Sequence, residues 1–263
     1  MGQLKLIACD LDGTLLLNGA QQLQPGTCDL IRELGSRGIL FCAASGRQYS
    51  NLRRLFEPVS DEIAYLCENG CLGFYQGSRI FRETMDRSLG QELMQAILET
   101  EGAEVLLSGE KVCYVQPKNM EYFYHMRDTV RNDTVIVPDI LRTDEAYMKV
   151  SLYEKGGLRN VRCWQDRFGD RCTVVTGGGE WLDMMPKGVN KGTGLIKILR
   201  TLGIDQKECM AVGDNDNDLE MLEAVGYPAA VRSGKPAVRR IALFETDTVE
   251  NLFRRILENE IVL

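Results

Sequence analysis

The sequence contains a single histidine, His125, among 263 residues. Zinc hydrolases that hold their metal with two or three histidines therefore have almost no support here. Acid–base chemistry must fall to carboxylates unless His125 itself takes part. The nine cysteines are an odd number and include no C-x-x-C pair, which indicates reduced, mostly buried thiols rather than a disulfide framework.

Long apolar runs and long basic runs are also missing. No stretch approaches the ~18 to 20 apolar residues that cross a bilayer, and the acidic Asp10 comes too early for the apolar region of a secretory signal. The 31 Lys and Arg residues face 38 Asp and Glu residues, giving a net charge of −7. Nucleic acids and anionic membranes bind clustered basic residues, so neither is an expected partner. We expect a cytoplasmic protein, and the sequence carries no signal for its oligomeric state.

The two ends of the chain share a rhythm of short apolar runs and amphipathic stretches. Alternating strands and helices of this kind predict parallel strands joined by right-handed crossovers. At the N-terminal end the predicted elements are strands at Leu4–Ala8, Gly38–Ala43 and Ile63–Cys67 and helices at Cys28–Leu34 and Tyr49–Phe56. At the C-terminal end they are helices at Lys191–Leu202 and Leu219–Val225 and strands at Cys209–Val212 and Ala229–Val231.

The middle of the chain follows a different pattern, with the alternation that is typical of an antiparallel sheet. Val105–Leu107 and Val112–Val115 flank a glycine turn and predict a hairpin. Further strands are predicted at Lys149–Tyr153 and Cys172–Val175, and helices at Leu89–Glu99, Tyr122–Val130 and Leu158–Phe168. The sequence thus predicts an α/β fold in which a Rossmann-like parallel-sheet core, residues 1–83 and 187–263, receives an inserted α+β domain, residues 84–186.

Carboxylates follow two of the predicted core strands. Asp10-Leu11-Asp12-Gly13-Thr14 comes directly after the first strand, and Gly213-Asp214-Asn215-Asp216-Asn217-Asp218 follows a later one. Ligands of open parallel sheets bind at these strand ends. So many carboxylates would repel one another unless some were protonated or a cation lay among them, and an oxygen-only site suits Mg²⁺. The competing interpretation of the first motif is a strand-ending turn capped by aspartate.

Two further segments supply groups that bind anions. Ser45-Gly46-Arg47 follows a strand and opens a helix, so its hydroxyl and the helical N-terminal amides are suited to phosphate oxygens. Lys191 begins another predicted helix and could neutralise the same group. No G-x-x-x-x-G-K-[ST] motif is present and no G-x-G-x-x-G follows a strand, so nucleotide P-loop and dinucleotide sites lack support.

Taken in chain order, these four motifs resemble those of the haloacid dehalogenase (HAD) superfamily. More narrowly they are similar to its Cof-type, Mg²⁺-dependent phosphatases, in which a large α+β cap domain is inserted between the second and third motifs. Glu68-Asn69-Gly70, after the third strand, is also similar to that group. The stretch Ala230-Val231-Arg232-Ser233-Gly234 departs from it, since relatives often carry a small residue and Asn-Ala there.

The resemblance implies a role for each matching residue. Asp10 would be the nucleophile that forms an aspartyl-phosphate, and Asp12 the acid–base residue. The metal would be Mg²⁺, bound by the carboxylates of Asp10 and Asp214 and the main-chain carbonyl of Asp12. The phosphoryl oxygens would be held by a hydroxyl, a backbone amide, an ammonium and a carboxamide, from Ser45, Gly46, Lys191 and Asn217. Asp218 would orient Lys191.

The presence of Asp12 favours hydrolysis of phosphomonoesters within this superfamily. The expected substrate is a small phosphorylated metabolite, either a sugar phosphate or a phosphorylated cofactor or cofactor precursor. Two alternatives stay open. A sugar phosphomutase would use the same core while shielding the aspartyl-phosphate from water, and a phosphate-binding regulatory protein would keep the site without turnover.

Overall fold

The computed structural model describes residues 4–177 and 179–261. The outermost residues of the predicted core segments, 1–3 and 262–263, and Gly178 of the predicted insertion therefore lie outside the described residues. The chain forms two compact units. The first comprises Met1–Ser45, Leu52–Phe81 and Asn190–Leu263, and the second comprises Gly46–Asn51 and Arg82–Val189.

Strands and helices follow one another along the chain in three stretches. Up to the first hairpin they are β1 (Leu6–Asp10), α1 (Thr27–Ser36), β2 (Leu40–Ala44), α2 (Tyr49–Leu55), β3 (Ala64–Cys67), β4 (Leu72–Tyr75) and β5 (Ser78–Arg82). The middle of the chain forms α3 (Arg87–Glu99), β6 (Ala103–Ser108), β7 (Cys113–Val115), α4 (Met120–Tyr124), β8 (Thr134–Ile136), β9 (Lys149–Glu154), α5 (Val161–Phe168), β10 (Cys172–Thr176) and β11 (Trp181–Pro186). The last part forms α6 (Lys191–Leu202), β12 (Cys209–Gly213), α7 (Leu219–Glu223), β13 (Tyr227–Val231), α8 (Pro236–Ile241), β14 (Phe244–Thr246) and α9 (Val249–Leu257).

Over its described residues the first unit is built on an eight-stranded sheet in the order β14-β13-β12-β1-β2-β3-β4-β5. The strands from β14 to β3 run parallel, and β4 pairs antiparallel with β3. All five residues of β1 are buried, as expected for a central strand covered on both faces. Apolar side chains of α6, α7 and α8 pack with Leu6, Ala8 and Cys42 on one face, while Phe253 of α9 contacts Phe41 on β2 edge-to-face.

The second unit contains a six-stranded sheet, in the order β10-β11-β9-β6-β7-β8 across its described residues. The predicted hairpin is present as β6 and β7, which pair antiparallel with Leu107 opposite Tyr114. Helices α3 and α5 contribute Leu93, Ile97 and Phe168 to a core with the strands. The predicted fold class, a parallel-sheet core with an inserted α+β domain, is confirmed. No helix in the described part of the chain combines the length and the apolar character needed to cross a membrane.

Several elements begin or end where the sequence pattern did not predict. The predicted helix at Leu158–Phe168 starts only at Val161, because Asn160 before it has a left-handed φ of 58°. The predicted helix at Tyr122–Val130 is α-helical to Tyr124 and then continues as a π-helix over His125–Val130. Strands β4, β5, β8, β11 and β14 and helices α8 and α9 were not predicted.

A strained turn, Glu68–Gly70, follows β3 in the first unit. Its three residues have φ values of 51°, 53° and 101°, a left-handed run that is costly for side chains other than glycine and asparagine. A Cβ atom on Gly70 would lie 2.1 Å from the carbonyl oxygen of Asn190, the residue that caps α6. The turn therefore fixes how closely the start of α6 approaches the sheet.

We predict that Gly70→Ala destabilises the protein more than Gly77→Ala does. Both glycines have a positive φ, but Gly77 has nothing within 4 Å of the added Cβ. The matched pair separates the conformational penalty from the clash with Asn190. We expect the clash to lower the free energy of unfolding by a further ~1–3 kcal/mol, measured by urea denaturation. Equal losses in the two variants would contradict this account of the turn.

Candidate active site

Polar residues of the first unit lie where its parallel strands end. Asp10 ends β1, and the neighbouring strands β2 and β12 run directly into Ser45 and Asp214. Register places Asp10 beside Ala44 and Cys9 beside Val212, so the ends of these strands are level. Because parallel strands present their carboxyl ends at one edge of a sheet, residues about 200 positions apart in sequence meet there.

The turn after β1 is built around Asp214. Gly13 has a φ of 97°, and a Cβ atom on it would lie 2.5 Å from a carboxylate oxygen of Asp214. The buried Thr14 hydroxyl donates a hydrogen bond of 2.8 Å to Oδ1 of Asp214. The glycine thus leaves room for the carboxylate, and the threonine orients it.

Close helix packing brings Lys191 into the site. The side chain of Asn190 accepts a hydrogen bond from the Thr193 amide and caps the start of α6. A Cβ atom on Gly192 would lie 2.3 Å from the carbonyl oxygen of Glu220. The helix therefore begins in close backbone contact with its neighbours, and its first residue, Lys191, is only 1% exposed.

The ammonium group of Lys191 bridges two buried carboxylates. Its Nζ lies 2.5 Å from Oδ1 of Asp10 and 2.7 Å from Oδ1 of Asp218. The other oxygen of Asp218, Oδ2, accepts hydrogen bonds of 3.0 Å from the backbone amides of Asp214 and Asn215. Asp218 is therefore held on both sides, and it ties the loop after β12 to Lys191.

Burial and neighbouring charges shift the pKa values of this cluster. Burial raises the pKa of Asp10 well above its ordinary value, and the Asp218 carboxylate raises it further, against the opposing effect of Lys191. Burial also raises the pKa of Asp214, although the hydrogen bond from Thr14 opposes the rise. For Lys191, burial alone would lower the pKa, but the carboxylates of Asp10 and Asp218 outweigh burial and raise it. The lysine is consequently a permanent cation at neutral pH.

The carboxylates of the cluster form a donor set that fits a divalent metal. One oxygen each from Asp10, Asp214 and Asp218 lies within 4.8 Å of the other two. Oxygen-only donor sets suit hard cations such as Mg²⁺. The Asp218 carboxylate raises the pKa of both Asp10 and Asp214, because like charges lie close together in this cluster. A divalent cation would relieve this repulsion, because it neutralises several carboxylates at once.

Ser45 and Asn217, two predicted phosphate-binding residues, share a contact with Asn69. The carbonyl oxygen of Ser45 accepts a hydrogen bond of 3.0 Å from the Asn69 amide, and the Ser45 amide donates to the Leu66 carbonyl oxygen at 2.8 Å. The side-chain amide of Asn217 donates to Oδ1 of Asn69 at 3.3 Å. Both residues are thus linked to the turn after β3.

Asp12 and Gly46 complete the predicted set. Asp12 is exposed in the turn after β1, where its backbone forms a bridge with Leu16. Gly46 belongs to the second unit, and its carbonyl oxygen accepts a hydrogen bond of 3.0 Å from Nζ of the buried Lys149. Lys149 also pairs with Asp183 at 3.2 Å, and Asp183 accepts a further hydrogen bond from Ser151.

Neither Thr14 nor Asn69 was predicted to be a site residue. The position of Thr14 inside the first motif was a usable signal, since a hydroxyl four residues after Asp10 can turn back toward the strand ends. An Asn-Gly pair such as the one after β3 is a general turn signal, but only the fold reveals that this turn contacts Ser45 and Asn217.

Comparison with known proteins agrees with this arrangement. The family profile described as haloacid dehalogenase-like hydrolase matches residues 7–252. The 5-amino-6-(5-phospho-D-ribitylamino)uracil phosphatase YbjI of Escherichia coli is 26% identical, over 98% of this chain and 97% of that protein. A putative phosphatase of Streptococcus pyogenes, M6_Spy0533, is 27% identical over 92% of this chain and 93% of its own length.

The fold is also similar to that of a haloacid dehalogenase-like hydrolase from Bacillus subtilis. The two structures have a TM-score of 0.84 at 20% sequence identity, covering 98% of this chain and all of the other. The family profile spans nearly the whole chain, and its matched region begins just before the Asp10 motif and extends beyond Asp218. The chain therefore belongs to the haloacid dehalogenase-like hydrolase family, as its four motifs predicted, and is a phosphoric monoester hydrolase.

Proposed function

We propose that the protein is a Mg²⁺-dependent phosphatase that hydrolyses small phosphomonoesters through an aspartyl-phosphate on Asp10. One observation carries this proposal. A buried carboxylate at the end of the central strand, Asp10, is held by a lysine cation and lies next to a second carboxylate, Asp214, in a set of oxygen donors suited to a divalent metal. Such a group can act as a nucleophile toward a phosphate dianion only where positive charge surrounds it.

In the first step Asp10 attacks the phosphorus atom. A carboxylate oxygen of Asp10 forms the new bond to phosphorus while the ester bond to the leaving oxygen breaks. Asp12 donates its proton to that oxygen, so the alcohol departs neutral. The exposed position of Asp12, two residues after Asp10, supports this role, because a solvent-facing carboxyl beside the nucleophile can reach the leaving group.

In the second step water releases the phosphate. Asp12, now ionised, takes a proton from a water molecule as the water oxygen bonds to phosphorus. The bond between phosphorus and Asp10 breaks, which restores the Asp10 carboxylate and yields inorganic phosphate. One carboxyl thus serves as acid in the first step and as base in the second.

Four groups of the chain are proposed to bind the phosphoryl oxygens. Lys191 supplies a full positive charge, and its burial makes that charge effective at short range. Asp218 fixes the position of Lys191 by accepting its second hydrogen bond. Neutral donors complete the set, namely the Ser45 hydroxyl, the Gly46 amide and the Asn217 carboxamide.

The proposed metal ligands are the carboxylates of Asp10 and Asp214 and the main-chain carbonyl of Asp12. A bound Mg²⁺ supplies charge neutralisation for the phosphate that Asp10 attacks. Thr14 keeps the Asp214 carboxylate oriented toward Asp10 by its hydrogen bond.

The proposed substrate class is sugar phosphates and phosphorylated cofactors or their precursors. The name of the Escherichia coli relative describes a phosphorylated ribitylamino-uracil as its substrate, which is one compound of this class. The net charge of −7 disfavours nucleic acid as an alternative substrate.

We predict that Asp10→Asn abolishes turnover while the protein stays folded. The amide has the shape of the carboxylate but cannot form a stable phosphoryl intermediate. Release of inorganic phosphate from a panel of small phosphomonoesters, with Mg²⁺ and with chelator, measures the effect. Mg²⁺-dependent release that persists in this variant would refute the nucleophile assignment. In the wild-type protein, phosphorylation of Asp10 without release of inorganic phosphate would instead favour the phosphomutase. A wild-type protein that neither becomes phosphorylated nor releases phosphate would favour the regulatory protein.

We predict that Asp12→Ala slows the enzyme by roughly 10²–10⁴-fold on alkyl phosphates, because the leaving alkoxide then departs without a proton. A nitrophenyl phosphate has a good leaving group, so its first step should be much less affected. Hydrolysis of the aspartyl-phosphate still lacks a base in this variant and should stay slow. Rapid-mixing kinetics should therefore show a burst of nitrophenol followed by a slow steady state. Equal slowing of both substrate types without a burst would argue against the acid–base role.

We predict that Asp214→Asn raises the Mg²⁺ concentration for half-maximal activity by about tenfold or more, since the site loses an anionic ligand. Asp216→Asn is the matched control, because Asp216 is exposed and forms an ion pair with Lys235. Titration of activity with Mg²⁺ should leave the control close to wild type. A similar shift in both variants would mean that general surface charge, rather than ligation by Asp214, sets the Mg²⁺ requirement.

A further inference from the structure

Asn69 occupies an unusual position beside the proposed phosphate-binding residues. It is 2% exposed, and its φ of 53° and ψ of 33° lie in the left-handed region. Its backbone amide donates to the Ser45 carbonyl oxygen, and its side-chain oxygen accepts from the Asn217 amide. One residue therefore contacts two segments that follow different strands, β2 and β12.

The two contacts use different parts of the residue. The bond to Ser45 comes from the main chain, so any residue able to adopt this backbone conformation can make it. The bond to Asn217 needs the carboxamide oxygen of Asn69. Asparagine tolerates the left-handed conformation better than other residues with side chains, and it also carries an acceptor that glycine lacks.

The acceptor determines how the Asn217 carboxamide is oriented. When one N–H bond of its Nδ2 points to Asn69, the plane of the amide and the direction of its second N–H bond are fixed. A fixed donor binds a phosphoryl oxygen without losing rotational freedom at the moment of binding. Without the acceptor, this hydrogen bond no longer restrains the Asn217 carboxamide.

We infer that Asn69 is a positioning residue of the phosphate site, acting through its side chain on Asn217 and through its backbone on Ser45. This inference rests on the proposed function, in which those two residues bind the transferring phosphoryl group. Asn69 itself binds no substrate in this scheme. Its effect is therefore on the phosphate portion that all substrates share, and not on the leaving group.

The decisive variant is Asn69→Gly. Glycine adopts the left-handed backbone without strain and keeps the amide that donates to Ser45, so only the carboxamide is removed. Asn259→Gly is the matched control, since Asn259 also has a left-handed φ, 58°, but is exposed near the end of α9. Thermal unfolding of both variants monitors the fold.

Inorganic phosphate, tested as a competitive inhibitor of phosphomonoester hydrolysis, is the probe. We expect Asn69→Gly to raise its Ki by roughly tenfold and to lower kcat/KM by a similar factor for every substrate, whatever the leaving group. The control should stay within about twofold of wild type. A Ki for phosphate that is unchanged in Asn69→Gly would overturn the inference. So would losses that differ strongly between substrates, because they would indicate contact with the leaving group.

A double-mutant cycle tests whether Asn69 acts through Asn217. In the background of Asn217→Ala, adding Asn69→Gly should change the Ki for phosphate by less than about twofold, because its target is already missing. Full additivity of the two effects would reject the proposed route. If the proposed function itself is wrong, the result is different. Wild-type protein would then not release phosphate from any phosphomonoester in the presence of Mg²⁺.

Discussion

The site depends on one buried ion pair network, in which the ammonium of Lys191 lies between the carboxylates of Asp10 and Asp218. A charge this deeply buried is tolerated only when its partners are in place, and removing one partner typically costs ~3–5 kcal/mol. The network therefore requires the end of β1, the start of α6 and the loop after β12 to meet at one point. The same requirement places the proposed nucleophile next to a cation.

Glycines allow these three segments to approach one another closely. Gly13 faces the Asp214 carboxylate, Gly192 faces the carbonyl of Glu220, and Gly213 packs against Asp218. A methyl group at any of these positions would overlap a neighbour. These three glycines thus set the distances across which the carboxylates and the lysine interact.

Elements with strong local signals were predictable from the sequence. Helix α6 begins and ends as predicted, at Lys191 and Leu202, because a capping box with Asn190 starts it and Gly203 with a φ of 67° stops it. Strand β5 was missed, since its residues are exposed or half-exposed and no buried apolar run marks it. The π-helical segment over His125–Val130 was also unpredictable, because its side-chain pattern does not differ from that of an α-helix.

The sequence by itself determined the chemistry of the site. It placed carboxylates, a hydroxyl and a lysine directly after buried strands or at a helix start, in an order that identified the family. The tertiary structure decided which of these side chains contact one another. Three contacts depend on which strands are neighbours in the sheet. They are the bridge from Lys191 to Asp10 and Asp218, the hydrogen bond from Thr14 to Asp214, and the link that Asn69 makes between two loops. Strand order arises from packing between segments far apart in the chain, and the local pattern of one segment does not specify which strand lies beside it.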